Sequence, residues 1–294
     1  MNRARNQHTI AASCLVQGRG YWSGQQVDVW IHPGRVDTGI QLVRTDLDSS
    51  EPCPAVASHR HDHQLRTVLK NRAGDVQFSM VEHVLAALYA LEIDNCIVEI
   101  NGEEFPGLDG SSAAYVDALR DAGMVMQAGS RPQLVVDRII RVGNADSWVE
   151  ASPSTDGQCH YEYQLDYGAG PIGRQTFACR LTPETFCREI ATARTFITDQ
   201  QATALLEAGV GGHVSPTDLL WFTDQGLREN TLRFDNECAR HKTLDLIGDL
   251  ALTGAELVGR FVSHRGGHNL NGQLATRLIA AAEASLQLST RRAA

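Results

Sequence analysis

Apolar positions change period several times along this chain, and each change marks an element. Val27-Asp28-Val29-Trp30-Ile31-His32 alternates apolar and polar residues before Pro33-Gly34, the pattern of a half-buried strand ending in a turn. Gly39 to Arg44 predicts the next strand. From about Met80 to Leu91 the period lengthens, and Val81, Val84, Leu85 and Leu88 share one helical stripe. Cys96-Ile97-Val98-Glu99-Ile100 predicts a strand and Ala113 to Ala122 a second helix.

Residues 127–133, Gln-Ala-Gly-Ser-Arg-Pro-Gln, have the composition of a linker. Beyond them the order repeats. Strands are expected over roughly 134–180, helices from near Pro183 and near Asp235, a strand over Leu257 to Val262, and a last helix from about Gln273 to Leu286. Strands, helix, strand, helix therefore occurs twice. The pattern predicts an α+β chain of two similar domains, 1–126 and 134–294, each layering a sheet against a helix pair. The segment 197–225 contains Leu205, Leu206, Val210, Val214, Leu219, Leu220, Trp221 and Phe222, too apolar for a plain surface loop. It either lines an apolar channel or simply packs.

Composition narrows the function classes. A chain of 294 residues with 43% apolar and 21% charged residues is long and apolar enough for two cores. A net charge of -9 argues against nucleic-acid binding, which needs a basic surface. The charged start, Met1 to Gln7, has no apolar run behind it, so no secretory signal is expected. No apolar stretch approaches the roughly 18 residues of a membrane-spanning helix. Cysteines 14, 53, 96, 159, 179, 187 and 238 form no CxxC pair, which suits a reduced, cytoplasmic protein.

Candidate chemistry concentrates in Arg240-His241-Lys242-Thr243-Leu244-Asp245-Leu246-Ile247-Gly248-Asp249. On a helix, His241, Asp245 and Asp249 stack on one face, while Leu244, Ile247 and Ala251 lie elsewhere. Such a face is either one wall of a metal site or a solvated row of i,i+4 pairs. Ser79-Met80-Val81-Glu82-His83 opens the first long helix. Its Ser-x-x-Glu spacing matches a capping box, which on local grounds accounts for Glu82 but not for His83.

Taken together, His83, His241 and Asp245 make two imidazoles and a carboxylate, a recognised catalytic zinc set with room for water. Glu82 beside them would be the general base. Ser263-His264-Arg265-Gly266-Gly267-His268 adds a possible proton carrier, His268, with Asp249 available to orient it, or else only a turn with a surface histidine. His59-x-His61-x-His63 places three imidazoles on one strand face, in a polar and charged segment. Gly18-Arg-Gly20-Tyr-Trp-Ser-Gly24 has the wrong spacing and following element for a dinucleotide loop.

These segments resemble the zinc-dependent UDP-3-O-acyl-N-acetylglucosamine deacetylase family, LpxC. The resemblance is carried by Gly39-Ile40 with Arg44-Thr45-Asp46, Val81-Glu82-His83-Val84-Leu85-Ala86-Ala87-Leu88, Ile93-Asp94-Asn95 and Leu108-Asp109-Gly110-Ser111-Ser112-Ala113. It continues through Ala193-Arg194-Thr195-Phe196, Leu232-Arg233-Phe234, Arg240 to Asp249 and Gly267-His268. It implies two α+β domains with zinc at their junction, held by His83, His241 and Asp245, and Fe(II) suits the same donors. It further implies Glu82 as base, Thr195 on the oxyanion, and His268 with Asp249 for charge stabilisation or leaving-group protonation. Lys242 and Arg265 would meet the substrate diphosphate, and Phe196 with the 197–225 insert would face the 3-hydroxyacyl chain. The implied reaction releases acetate from UDP-3-O-(3-hydroxyacyl)-N-acetylglucosamine in lipid A biosynthesis. The implied protein is a monomer without nucleic-acid partners or stable membrane insertion.

Some positions depart from the family pattern. Trp22 stands where a histidine is usual, Ala169-Gly170-Pro171-Ile172 lacks a histidine before its proline, and Thr67 aligns near a cysteine of some members. The zinc ligands and base are untouched. The departures admit a deacetylase of a different N-acetylated substrate, and an inactive lipid- or nucleotide-binding paralogue is the remaining alternative.

Overall fold

The computed structural model describes residues 5–48 and 51–293, with side chains described through residue 285. The charged start at residues 1–4 lies outside the described residues. The architecture is α+β. Its helices are α1 (Glu82–Ala90), α2 (Ala113–Ala122), α3 (Pro183–Glu189), α4 (Asp199–Glu207), α5 (Glu237–Ala251) and α6 (His268–Ala293). None of the described helices is long and apolar enough to cross a membrane.

Two sheets dominate, and their strand orders correspond. In the first, Cys96–Ile100 lies between Gln26–Pro33, antiparallel, and Ile40–Arg44, parallel, with Cys14–Arg19 and Cys53–Pro54 outside. In the second, Glu256–His264 lies between Trp148–Ser152, antiparallel, and Cys159–Asp166, parallel, with Ile140–Gly143 and Arg174–Arg180 outside. Gln133–Val135 adds a short parallel pairing to Glu256–His264. Burial alternates along Gln26–Pro33 and Cys159–Asp166, as expected where one sheet face is covered. Helix α2 packs on the first sheet and against α1, and α5 and α6 pack on the second. α1 and α5, equivalent in the repeated order, pack against each other.

That crossing is close because of one glycine. A Cβ at Gly248 would lie 2.1 Å from the carbonyl oxygen of Glu82. Glycine inside a helix costs stability relative to alanine, and here it lets α5 reach the first turn of α1.

Three local expectations need correction. Residues 127–130 belong to the strand Met124–Ser130, which pairs with Asn6–Ile10. This mostly exposed strand draws its order from backbone pairing with a buried partner and from Gln127, which bridges Asn95 and Gly34, so linker composition was no guide. The Ser79–Glu82 capping box is absent: α1 starts at Glu82 with no side-chain cap. Met80 takes a left-handed φ of 62°, Ser79 Oγ accepts from Arg66, and Glu82 turns elsewhere. A complete capping box occurs instead at Thr198 and Gln201, opening α4. Finally, α6 starts at His268 rather than near Gln273, so His268 lies in the first turn of a helix and is buried.

Candidate active site

The first turn of α1 and the middle of α5 bring His83, His241 and Asp245 together. All three are buried, and their ligating atoms lie within 4.8 Å of one another. Asp245 Oδ1 is 3.3 Å from His241 Nε2 and 3.8 Å from His83 Nε2. Donors at metal–ligand bonds of about 2.0–2.1 Å in a tetrahedron lie roughly 3.3 Å apart. The donor set fits a cation for two further reasons. His241 Nδ1 lies 3.1 Å from the carbonyl of Ala193 and donates to it, leaving Nε2 as a bare lone pair. Asp245 Oδ1 is buried without a hydrogen-bond partner, a costly state for a carboxylate oxygen unless something else meets it.

The local electrostatics favour neutral imidazoles around a charged carboxylate. Burial pushes His83 down to about 3 and also lowers His241. Burial opposes ionisation of Asp245, but the neighbouring cations, Lys242 and His268 among them, outweigh it and hold the carboxyl well below its usual range. Lys242 Nζ meets Asp245 Oδ2 at 2.5 Å. Burial works against that ammonium, yet Asp245 and Tyr163 raise its pKa. One donor of Lys242 is thus engaged by Asp245, and an ammonium has three.

Glu82 stands at the edge of this cluster. Its Oε2 accepts from the backbone N–H of Thr67 at 2.9 Å, and its Oε1 is 4.0 Å from His268 Nε2. Burial raises its carboxyl to about 7 against the charge of His268, which lowers it. His268 Nε2 also lies 3.8 Å from Asp245 Oδ2. Its other nitrogen, Nδ1, is 2.9 Å from Asp249 Oδ2. Burial disfavours its charge, but Asp249 more than compensates, and the ring is raised to about 9. It is therefore an imidazolium at neutral pH. Asp249 also accepts from Asn271 Nδ2 at 2.8 Å and from the hydroxyl of Thr67.

A cavity of about 1020 Å³ opens above these groups. Thr195, Phe196, Lys242, Arg265 and His268 all line it. Its lining also includes an apolar group, Leu205, Leu206, Val210, Val214 and Leu219. The expected insert is therefore ordered structure: α4 and a small sheet of Phe196–Thr198, Leu220–Thr223 and Gly226–Leu227. Arg265 is exposed at the rim with a left-handed φ of 51°. Trp22 also lines the cavity, with the Arg66 guanidinium 4.3 Å from its ring centroid.

All ten site residues singled out in the sequence thus fall in or directly behind one cavity. The supporting roles of three residues were missed. Thr67, noted only as a departure from the family pattern, touches both Glu82 and Asp249, 182 positions away, and no spacing announces those contacts. Asn271 follows His268 by three positions on α6, a spacing that would have pointed to it had the helix start been recognised. Gly248, a helix-interior glycine, was itself a visible signal.

Comparison with known proteins agrees with this geometry. The family model for UDP-3-O-acyl N-acetylglycosamine deacetylase, LpxC, matches residues 7–280. Proteins named UDP-3-O-acyl-N-acetylglucosamine deacetylase from Brucella ovis, Brucella canis and Brucella melitensis are each 38% identical to this chain over 275 residues. The similarity covers 93% of this chain and 95% of each relative.

Proposed function

The chain belongs to the UDP-3-O-acyl N-acetylglycosamine deacetylase family, and on that premise we propose how its buried site performs the reaction. The activity is deacetylation: hydrolysis of the N-acetyl amide of a UDP-3-O-acyl-N-acetylglucosamine in lipid A biosynthesis, with release of acetate. The observation that carries the site assignment is the convergence of His83, His241 and Asp245 beside Glu82.

His83, His241 and Asp245 hold a divalent metal, zinc by preference for two imidazoles and a carboxylate, with Fe(II) also suited to the donors. When bound, the metal polarises the acetyl carbonyl and eases deprotonation of water. Glu82, fixed by the Thr67 N–H, takes the proton of the attacking water; its raised pKa makes it a base matched to neutral pH. The hydroxyl of Thr195 donates to the oxygen that gains charge as the carbonyl becomes tetrahedral. The C–N bond then breaks, and the imidazolium of His268 supplies a proton to the leaving amine. Asp249 keeps His268 charged and oriented.

The apolar lining of the cavity, Phe196 included, takes the acyl chain, while Lys242 and Arg265 meet the diphosphate. All seven cysteines are free, which suits a cytoplasmic setting. A second reading keeps the chemistry and changes the sugar nucleotide, because Trp22, with Arg66 against its ring, forms part of the cavity wall.

Metal-loaded protein should release acetate from the acylated UDP-sugar much faster than from unacylated UDP-N-acetylglucosamine. Preference for the unacylated sugar would favour the second reading. Full activity in Glu82→Ala would remove the base assignment.

A further inference from the structure

One turn before His241, the polar ladder of α5 reaches Glu237, whose carboxylate is 0% exposed. Oε1 accepts from the backbone N–H of Arg194 at 3.1 Å and from its Nε at 2.7 Å. Oε2 accepts from Arg194 Nη2 at 3.1 Å and from the backbone N–H of Arg233 at 2.6 Å. Arg194 is itself buried and donates further to Asn230 Oδ1 at 2.8 Å and the carbonyl of Thr231 at 2.6 Å. A buried ion pair is stabilising only when its lone pairs and protons are this fully used.

Its position is the informative part. Arg194 lies between Ala193, whose carbonyl accepts from His241 Nδ1, and Thr195, which lines the cavity. Asn230 donates to the carbonyls of Pro216 and Leu219, at 3.1 and 3.3 Å, within the apolar segment. The ion pair therefore grips both roots of residues 195–229. It fastens them to the helix that carries His241 and Asp245.

We propose that Arg194 and Glu237 are positioning residues that couple seating of the apolar segment to the orientation of His241, so that metal and acyl chain bind cooperatively. Displacing the segment moves the Ala193 carbonyl, and His241 loses the acceptor that fixes its tautomer. Linkage requires the reverse as well: an acyl chain that settles the segment tightens the metal. The acyl half of this proposal rests on the proposed function, whereas the link from Glu237 to His241 does not.

The test measures zinc affinity by chelator competition, alone and with saturating UDP-glucosamine or its 3-O-acylated form. Both ligands carry the same amine, so any difference between them belongs to the chain. In the wild type the acylated ligand should tighten zinc at least about fivefold more than the unacylated one, the lower range of allosteric coupling. Asn230→Ala should lose most of that difference while its unliganded zinc affinity stays within about twofold, because the Ala193–His241 contact remains. Glu237→Gln should weaken zinc about tenfold without any ligand, the usual scale for groups that orient a metal ligand. Arg194→Lys serves as the milder variant if Glu237→Gln does not fold. Equal zinc affinity with both ligands in the wild type, or full coupling in Asn230→Ala, would overturn the cooperativity. Wild-type zinc affinity in a folded Glu237→Gln or Arg194→Lys protein would overturn the link to His241. Failure of the wild type to deacetylate the acylated sugar would remove the functional reading and leave the zinc result of Glu237→Gln to decide that link.

Discussion

Two groups of imidazoles in this chain have spacings that suit a metal, and the fold treats them in opposite ways. His59, His61 and His63 share an alternating polar segment. There His59 Nδ1 donates to the carbonyl of Lys70 at 2.8 Å, His63 Nδ1 accepts from the N–H of Leu65 at 3.2 Å, and His61 is exposed. Their nitrogens serve the backbone and water. His83 and His241 lie far apart in sequence, on equivalent helices of two sheet systems, yet their free nitrogens converge on an unpartnered carboxylate oxygen. Among the described residues this is the only such convergence. The difference teaches that ligand spacing along one strand is weak evidence, whereas burial with unsatisfied donors and acceptors from two elements is strong.

The comparison can be broken by mutation, most severely at the convergent set. His241→Ala should reduce bound metal from about one per chain to a small fraction and abolish acetate release, as loss of one of three protein ligands implies. Metal analysis of the purified variant checks it. Glu82→Gln should keep the metal but lower kcat by roughly 10²–10⁴, the range for a general base. Parallel metal analysis and acetate assays separate those two effects.

Asp249→Asn should act through His268. On the proposed mechanism the His268 ring must be protonated to serve the leaving amine, so activity should fall as pH rises through its pKa of about 9. Removing the Asp249 charge lowers that pKa, and the alkaline limb of the kcat profile should move to lower pH, with kcat at neutral pH down by roughly 10²-fold. An unshifted limb would separate His268 from the rate. Phe196→Ala should raise KM for long-chain substrates by roughly tenfold, the scale of lost contact in an apolar pocket, with little change for unacylated sugar. The smallest effect belongs to the decoy: His61→Ala should leave metal content and kcat unchanged within about twofold, as expected for an exposed side chain.

Much of this was legible in the sequence because helical spacing reports which residues share a face. The α5 row of His241, Asp245 and Asp249 followed from counting, and its pairing with His83 followed from the chemistry of a three-ligand metal site. What counting missed depends on contacts across the fold. Glu82 fits a capping box locally, but the left-handed turn at Met80 and the N–H of Thr67 decide where its carboxylate goes. Residues 127–130 have linker composition and still form a strand, because Asn6–Ile10 supplies the pairing. Glu237 continues the same i,i+4 row as His241, yet its role became visible only when Arg194 folded back onto it.

The central claim is that His83, His241 and Asp245 hold the metal on which the deacetylation depends. The direct test is titration of chelator-stripped protein with zinc while acetate release from the acylated UDP-sugar is followed. Activity should be absent in the stripped protein, rise linearly with added zinc and level off at about one equivalent per chain, as one three-ligand site requires. Full activity in verifiably metal-free protein would contradict the account.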